Sequence, residues 1–264
     1  MARKKAKSEE ANWYDYPQYF DMVFRDETAA EVAFFEQAFK GYAKGPVKRL
    51  YEPGCGSGRL VVAMAAAGYD VHALDLSQAS LDYLKRKLKR RGLHADLALG
   101  DMVTHRPPRK IDAAFCTFNT FRHLMDDKSA IGHLRSVAAA LRKGGIYMLG
   151  FHILPMDTEE KCTERWRAAH AQTKVTTTLT VTDFNRRKRA EQVKILVTAK
   201  QPQKTVRCRT QFPLRLYTHP QFTKMLQQVP ELELVAVHDF DYDIEVTREL
   251  DEDLTDALFI LRKR

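Results

Sequence analysis

Between residues 47 and 151 the chain alternates short apolar runs with longer segments in which apolar residues recur every three or four positions. The apolar runs predict strands over Val47–Tyr51, Val71–Leu74, Leu97–Leu99, Ile111–Phe118 and Ile146–Phe151. The periodic segments predict helices over Gly58–Ala67, over Gln78–Arg91, and from Ser129 as N-cap to Gly144-Gly145. Alternation of this kind is typical of a parallel sheet wrapped by helices.

After Pro155 the pattern changes to alternating β-branched and polar residues, which favours antiparallel strands. The predicted meander has three strands around a polar turn at Asn185: Lys174–Thr182, Gln192–Lys200 and Lys204–Phe212. A helix and two strands follow: His219–Val229, Leu232–Asp239 and Ala257–Arg262. We therefore expect an α/β fold with a Rossmann-like, doubly wound, mostly parallel sheet of about seven strands, and an antiparallel β-meander lid inserted after the fifth strand.

The predicted division of the chain has three parts. Residues 11–155 and 213–264 form the α/β domain, residues 160–212 form the inserted lid, and residues 1–10 form a disordered basic tail. No apolar segment follows the tail, so the sequence does not predict a secretory signal. Residues 12–44 are predicted to form aromatic-rich helices before the first strand.

A chain of 264 residues that is 44% hydrophobic and 29% charged can bury one good core, which argues against wholesale disorder. Its longest apolar run, Leu60–Ala67, is less than half of the roughly 20 residues that a membrane helix needs. The cysteines have no metal-type or redox-type spacing, so we expect reduced thiols. The expectation is a cytoplasmic protein, a monomer or homodimer, without membrane contact.

The net charge of +9 is unevenly distributed. Basic residues dominate between Lys161 and Arg215 and include the run Arg186-Arg187-Lys188-Arg189, whereas acidic residues dominate between Glu231 and Asp256. Two interpretations remain open: these surfaces are solvated or pair with each other, or the basic segment binds an anionic partner such as nucleic acid. Aromatic residues that stack on bases are scarce in the basic stretch, so nucleic acid is not favoured.

Three consecutive strand ends carry polar groups that suit one ligand. The first strand runs into Glu52-Pro53-Gly54-Cys55-Gly56-Ser57-Gly58, whose glycines let backbone approach a ligand at a helix start. A dinucleotide-binding loop would have its third glycine where this chain has Arg59, so a pyrophosphate is poorly accommodated. Asp75 ends the next strand, where a carboxylate can accept both ribose hydroxyls, and Asp101 follows the third, where it can accept an adenine amine proton. Together they predict an adenosyl ligand.

These residues resemble the class I S-adenosylmethionine-dependent methyltransferases. The glycine loop is similar to the first motif of that family, Asp75 and Gly100-Asp101-Met102 to its ribose and adenine positions, and residues 141–145 to the turn before its fifth strand. The aromatic N-terminal segment and the meander resemble the small-molecule branch that includes glycine N-methyltransferase and the amino-sugar N-methyltransferases. The resemblance implies S-adenosyl-L-methionine as cofactor and S-adenosyl-L-homocysteine as product. The cofactor-binding residues that it implies are Glu52, Gly54, Cys55, Gly56, Gly58, Asp75, Leu76, Asp101, Met102 and Asn119.

Several sequence features of other methyltransferases are missing. Residues 118–123 lack the Asn-Pro-Pro-Tyr of enzymes that methylate adenine or glutamine amides, and the chain has no Pro-Cys pair of the cytosine C5 type. Cys116 lies inside a predicted strand, so we expect a buried thiol rather than a nucleophile. No histidine–carboxylate cluster suggests a divalent ion, so no metal is predicted.

The acceptor pocket is expected outside the carboxyl ends of the strands, below the meander and the N-terminal aromatics. Methyl transfer requires alignment and exclusion of water, and a base only where the acceptor arrives protonated. The candidate catalytic residues are His123, His152 and Tyr14, and the candidate substrate-binding residues are Tyr16, Arg122, Arg215 and Tyr217. For these side chains a purely structural role remains an open alternative.

The leading functional hypothesis is methyl transfer to a nitrogen or oxygen of a small-molecule acceptor. A first alternative keeps this chemistry and changes the acceptor to RNA or protein bound through the basic lid. A second alternative is a non-catalytic, cofactor-binding assembly protein. The sequence does not identify the acceptor.

Overall fold

The computed structural model describes residues 12–154, 162–251 and 253–264. The predicted tail and the first residues of the predicted lid lie outside the described residues. The helices are α1 (Pro17–Val23), α2 (Thr28–Tyr42), α3 (Arg59–Ala66), α4 (Gln78–Arg91), α5 (Asp127–Ala140) and α6 (His219–Leu226), with 3₁₀ helices at Trp13–Asp15 and Thr120–His123. Within this part of the chain, no helix combines the length and apolar character needed to cross a membrane.

Eleven strands form two separate sheets among the described residues. The strands are β1 (Arg49–Pro53), β2 (Asp70–Asp75), β3 (Asp96–Leu99), β4 (Ile111–Cys116), β5 (Leu141–His152), β6 (Thr163–His170), β7 (Thr173–Asn185), β8 (Ala190–Lys200), β9 (Thr205–Arg215), β10 (Leu232–His238) and β11 (Asp256–Lys263). The main sheet has the order β10-β11-β5-β4-β1-β2-β3.

The main sheet confirms the predicted seven-stranded, mostly parallel architecture. Strands β1 to β5 pair in parallel, whereas β11 runs antiparallel to both β5 and β10. The strand order reverses between β1 and β4, and at such a switch point the loops that follow the strands open a crevice. The fold therefore provides a ligand site at this edge.

Both faces of the main sheet are buried, because alternate residues of each strand point to opposite faces. On β1, Leu50 belongs to a core cluster with Phe35 of α2 and Leu84 of α4. The next residue, Tyr51, belongs to the cluster on the other face with Leu134 of α5. The two helix layers thus fix the position of the strand ends.

The second sheet, called the cap sheet below, has the order β6-β7-β8-β9 with all neighbours antiparallel. Strands β7, β8 and β9 confirm the predicted meander, but the prediction of only three strands is wrong because β6 pairs with β7 along its length. The sequence of β6, Thr-Glu-Arg-Trp-Arg-Ala-Ala-His, lacks the β-branched alternation of its neighbours. Pairing with a preformed strand compensates for this weak local preference.

A third apolar cluster joins the cap sheet to the N-terminal aromatics. Trp13, Tyr19 and Phe24 are buried there together with Val193 and Ile195 of β8. The predicted aromatic-rich helices before the first strand are therefore confirmed, and they hold the cap sheet against the main domain. This arrangement closes the crevice from above.

The predicted start of α5 is wrong. Asp126, not Ser129, is the N-cap, and its side chain accepts a hydrogen bond of 2.7 Å from the backbone N–H of Ser129. The predicted helix end is also wrong, because α5 ends at Ala140 and Gly144-Gly145 lies in an irregular stretch of β5.

Strand β4 is shorter than predicted. It ends at Cys116 instead of Phe118, because Phe118 and Asn119 adopt left-handed backbone conformations at φ 62° and 64°. Such angles are incompatible with an extended strand and turn the chain sharply at the sheet edge. Cys116 itself is buried, as predicted.

Candidate active site

A cavity of about 1460 Å³ lies along the carboxyl ends of β1, β2 and β4. The loops after these strands line one side, and the cap sheet with the N-terminal aromatics lines the other. Pockets for one small ligand usually measure about 300 to 1,000 Å³, so this cavity has room for a cofactor and an acceptor. The sequence-predicted residues that line it are Tyr14, Glu52, Gly54, Cys55, Gly56, Asp75, Leu76, Asp101, Met102, Asn119, Arg122, His123 and His152.

In the glycine loop between β1 and α3, the backbone of Gly54 and Gly56 lines the cavity without a side chain in between. Gly54 and Gly56 have positive φ of 71° and 52°. A Cβ at Gly54 would lie 2.4 Å from Cγ2 of Thr120, whereas a Cβ at Gly56 would meet no protein atom within 4 Å. Gly58 does not line the cavity; its Cβ would lie 2.3 Å from Leu84, so it allows α3 to pack against α4. Only the first two glycines therefore serve the cavity directly.

Asp75 is fixed by the backbone on either side of it. Its Oδ2 accepts a hydrogen bond of 2.7 Å from the N–H of Gly56, and its Oδ1 accepts one of 2.8 Å from the N–H of Ser77. Burial raises the pKa of Asp75, while these two N–H groups act in the opposite direction. Because each carboxylate oxygen can accept two hydrogen bonds, one lone pair on each remains for a ligand.

Asp101, Met102 and Leu76 form the neighbouring part of the lining. The Oδ1 of Asp101 accepts a hydrogen bond of 2.8 Å from the N–H of Val103, which orients its carboxylate. The carbonyl of Met102 lies 3.0 Å from Nδ1 of the buried His133. Leu76 is exposed and also lines the cavity.

A buried charge cluster lies next to the glycine loop. Arg59 forms an ion pair with Glu31 of α2, and its Nη1 donates a hydrogen bond of 3.2 Å to Oγ1 of Thr28. Burial raises the pKa of Glu52 well above its usual range, although nearby Arg59 opposes this. Oε2 of Glu52 has no hydrogen-bond partner, and the side chain lines the cavity. The sequence analysis missed Glu31, because nothing near it in sequence indicates a site.

Tyr14 and His123 meet across the cavity lining. The hydroxyl of Tyr14 lies 3.0 Å from Nε2 of His123. Although the imidazole is accessible from the cavity, surrounding protein and the adjacent Arg122 lower the pKa of His123 to about 4. Burial raises the pKa of Tyr14. At neutral pH the phenol therefore keeps its proton and the imidazole is uncharged.

His152 is held from two directions. Its Nδ1 bonds to Oδ1 of Asp256, and its backbone N–H donates a hydrogen bond of 2.9 Å to Oδ1 of Asn119. Both His152 and Asn119 line the cavity. The sequence analysis missed Asp256, which reaches His152 only because β11 lies directly beside β5.

Residues 51–145 match a family model described as a methyltransferase domain, and this segment contains the glycine loop, Asp75 and Asp101. This part of the chain is therefore similar to a methyltransferase domain. A curated relative of the domain, the cypemycin N-terminal methyltransferase of a Streptomyces species, is 34% identical over 102 residues, which are 39% of this chain and 41% of the relative. The curated relatives are matched over about half of their own length, 56% and 41%.

Solved structures share the fold of this chain. An S-adenosylmethionine-dependent methyltransferase from Clostridium acetobutylicum aligns over 96% of this chain and 99% of its own, with a TM-score of 0.77 and 16% identity. CalS10, an amino pentose methyltransferase from Micromonospora echinaspora solved with S-adenosylmethionine bound, aligns over 98% and 100%, with a TM-score of 0.69 and 18% identity. The fold that the sequence resemblance implied is therefore confirmed.

Arg122 connects the loop after β4 to the cap sheet. Nη2 of Arg122 lies 2.5 Å from Oε1 of Glu191 on β8, and its Nε donates a hydrogen bond of 2.8 Å to the carbonyl of Arg215 on β9. The guanidinium and the carboxylate are both buried. Arg122 lines the cavity, but its charge is already compensated by the protein.

Three other predicted acceptor-binding residues lie outside the cavity lining. Arg215 is buried, forms an ion pair with Asp127 and lies 4.8 Å from the ring centre of Tyr217. Tyr217 is fully buried, and Tyr16 stacks on Tyr19. The expectation that Tyr16, Arg215 and Tyr217 contact the acceptor finds no support in these positions.

The basic run at residues 186–189 lies in the turn between β7 and β8. The last residue of the run, Arg189, forms an ion pair of 3.4 Å with Asp127 and lies 5.8 Å from the ring centre of Tyr217. This partner of Arg189 belongs to α5 and not to the acid-rich segment. Part of the basic charge therefore serves to join the cap sheet to the main domain.

Proposed function

We propose that this protein is an S-adenosylmethionine-dependent methyltransferase that transfers a methyl group to a nitrogen or oxygen of a small-molecule acceptor. The observation that carries the proposal is that one cavity gathers Gly54, Asp75 and Asp101 together with His123 and His152. A small acceptor is supported by the covered cavity and by the similar fold of an amino pentose methyltransferase. RNA or protein as acceptor, and a role without catalysis, have no comparable support.

The cavity residues fit an adenosyl-sulfonium ligand. Asp75 retains one free lone pair on each carboxylate oxygen, which suits the adjacent hydroxyls of a ribose. Asp101 suits the exocyclic amine of adenine, and the unpartnered Oε2 of Glu52 suits the ammonium group of the methionine moiety. The open backbone at Gly56 allows close approach of the ligand.

S-adenosylmethionine, held by Glu52, Asp75 and Asp101, would supply an electrophilic methyl group to the lone pair of the acceptor. The chain aligns the acceptor and excludes water. His152, oriented by Asp256, accepts the proton that the acceptor loses. Tyr14 and the uncharged His123 orient the polar end of the acceptor.

The cap sheet supplies the surface that excludes water. Its inner face presents Trp166, Leu179 and Ile195 to the cavity. We also propose that residues 160–212 act as a lid inserted into the domain formed by residues 11–155 and 213–264. Binding of the acceptor beneath such a lid would separate it from bulk solvent before transfer.

Isothermal titration calorimetry with S-adenosylhomocysteine tests the cofactor half of the proposal. We expect saturable binding to the wild-type protein. Asp75→Ala should weaken it on the order of tenfold or more, because hydrogen bonds to a charged group are lost. Asp70→Ala, at the opposite end of the same strand, is the matched control and should bind like wild type.

Absence of binding to the wild-type protein would contradict the proposed function outright. Equal weakening by Asp70→Ala and Asp75→Ala would mean that strand stability, not ligand contact, explains the loss. The catalytic half is tested by incubating the protein with fractionated cell extract and methyl-labelled cofactor. Label in a small-molecule fraction supports the proposal, whereas label only in RNA or protein contradicts it.

A further inference from the structure

The cavity carries the opposite charge to the chain. The chain contains 43 Lys and Arg against 34 Asp and Glu, yet acidic residues dominate the described part of the cavity lining. The acidic lining residues are Asp15, Glu27, Glu52, Asp75, Asp101, Glu164, Glu191 and Asp241. The basic ones with a permanent charge are Arg59 and Arg122, and no lysine lines the cavity among the described residues. Composition does not produce this reversal, so it reflects the ligands of the site.

Both arginines of the lining are already paired with carboxylates. Arg59 bonds to the fully buried Glu31, and Arg122 bonds to the buried Glu191. A phosphate or carboxylate on the acceptor would have to displace one of these partners. The displaced carboxylate would then remain buried without a counter-ion, which is strongly unfavourable.

Four of the exposed lining carboxylates lack any such ion pair. Asp15, Glu27, Glu164 and Asp241 are solvent-accessible, and among the described residues none of them forms an ion pair with lysine or arginine. They do not overlap with Asp75 and Asp101, which suit the adenosyl group. A cation inside the cavity would therefore encounter uncompensated negative charge beyond what the cofactor requires.

Glu164 lies within an apolar wall. The inner face of the cap sheet consists of Glu164, Trp166, Thr177, Leu179, Val181, Glu191, Val193, Ile195, Phe212 and Leu214. Glu164 on β6 directly opposes Leu179 on β7, and Val193 on β8 opposes Phe212 on β9. Because Glu191 is paired with Arg122, Glu164 is the one uncompensated charge on this described face. Within the described part of the chain, its Oε1 accepts a hydrogen bond of 3.5 Å from the weak donor Sγ of Cys162.

We propose that the acceptor is a cationic amine with an apolar body that carries no phosphate or carboxylate, and that Glu164 supplies its counter-charge. This inference rests on the proposed function and names the acceptor class. The apolar wall receives the body of the amine, and Glu164 attracts its ammonium form. Transfer of the ammonium proton to His152 frees the lone pair that accepts the methyl group.

The experiment measures binding of matched amines to the full-length protein saturated with S-adenosylhomocysteine. The probes are phenethylamine with phenylalanine, tryptamine with tryptophan, and isopentylamine with leucine, so that each pair differs only by a carboxylate. We expect at least one amine to bind roughly tenfold or more tightly than its carboxylated counterpart. Glu164→Gln should weaken that amine roughly fivefold, and added salt should reduce the difference.

Asp183→Asn is the matched control, because it makes the same acid-to-amide change on the cap sheet outside the cavity lining. It should leave amine binding unchanged. The acceptor class is overturned if no amine binds more tightly than its carboxylated partner, and the role of Glu164 is overturned if its glutamine variant binds the amine like wild type. S-adenosylhomocysteine binding is measured in the same samples. If it is retained, these outcomes overturn only the inference about the acceptor, whereas its absence contradicts the proposed function itself.

Discussion

The carboxylate of Asp256 bonds to Nδ1 of His152 and leaves Nε2 as the remaining nitrogen of a cavity-lining imidazole. The two residues are direct partners in the antiparallel pairing of β11 with β5. A carboxylate that accepts the Nδ1 proton fixes both the ring orientation and the tautomer, so that Nε2 can accept a proton from a ligand. In this pair, His152 is suited to act as a general base and Asp256 to position it.

Asp256→Asn should lower the rate constant of methyl transfer without weakening cofactor binding. An amide can donate to Nδ1 and so favour the wrong tautomer, which removes part of the roughly 10²–10⁴-fold contribution of a general base. The measurement is kcat against pH with an amine acceptor, alongside calorimetry with S-adenosylhomocysteine. A structural role alone would not shift the pH profile.

Asp253→Asn is the control for this substitution, because Asp253 lies in the same segment outside the cavity lining. It should leave both kcat and the pH profile unchanged. If Asp256→Asn also leaves them unchanged, His152 does not act as a base that Asp256 positions.

Two neighbouring glycines should respond differently to the same substitution. Gly56→Ala should cost about 1–2 kcal/mol of folding free energy for the left-handed backbone, and it should abolish tight S-adenosylhomocysteine binding because the new methyl group projects into the cavity. Gly58→Ala should cost about 2–5 kcal/mol, because the same backbone penalty adds to a clash with Leu84. Chemical denaturation and calorimetry measure the two effects separately.

The test compares Gly56→Ala, whose main expected effect is on ligand binding, with Gly58→Ala, whose main expected effect is on stability. A Gly56→Ala protein that is stable and still binds the cofactor product normally would show that the glycine loop is not the ligand site. A Gly58→Ala protein as stable as wild type would show that α3 and α4 can separate without cost.

The buried ion pair between Arg122 and Glu191 should be strongly coupled. Arg122→Met and Glu191→Leu should each destabilise the protein by about 3–5 kcal/mol, because each leaves an uncompensated buried charge. The double variant should recover much of that loss, since it buries no charge. Urea denaturation of the four proteins gives the coupling free energy, and additive losses would contradict a direct pairing.

The sequence predicted most of the main sheet, because parallel strands are buried on both faces and leave strong apolar runs such as Ile111–Cys116. It missed β6, whose strand conformation depends on pairing with β7 rather than on its own residues. It also misplaced the start of α5, because Asp126 and Ser129 are both good capping residues and only the backbone geometry decides between them.

Site residues at the ends of parallel strands could be predicted from the sequence. Asp75 is the last residue of β2 and Asp101 closely follows β3, so their location at one sheet edge follows from the parallel topology. Asp256 and Glu164 were not predictable, because Asp256 reaches His152 and Glu164 reaches the cavity through strand pairings that sequence patterns do not encode. Arg215 and Tyr217 are buried outside the cavity lining, and a sequence pattern gives no sign that a side chain points into the core.

Folding stability should fall as the pH is lowered from about 6.5 to about 4, and His133 should account for much of the change. Burial lowers the pKa of His133 to about 4, although the Met102 carbonyl opposes this, whereas the unfolded chain takes up the proton near pH 6.5. Between these values the unfolded state binds more protons, so stability is fully present above pH 6.5 and about 3 kcal/mol is lost by pH 4. Urea denaturation across this range measures the slope. His133→Gln should flatten it, whereas His94→Gln, at an exposed histidine, should not, and an unchanged slope in His133→Gln would contradict the assignment.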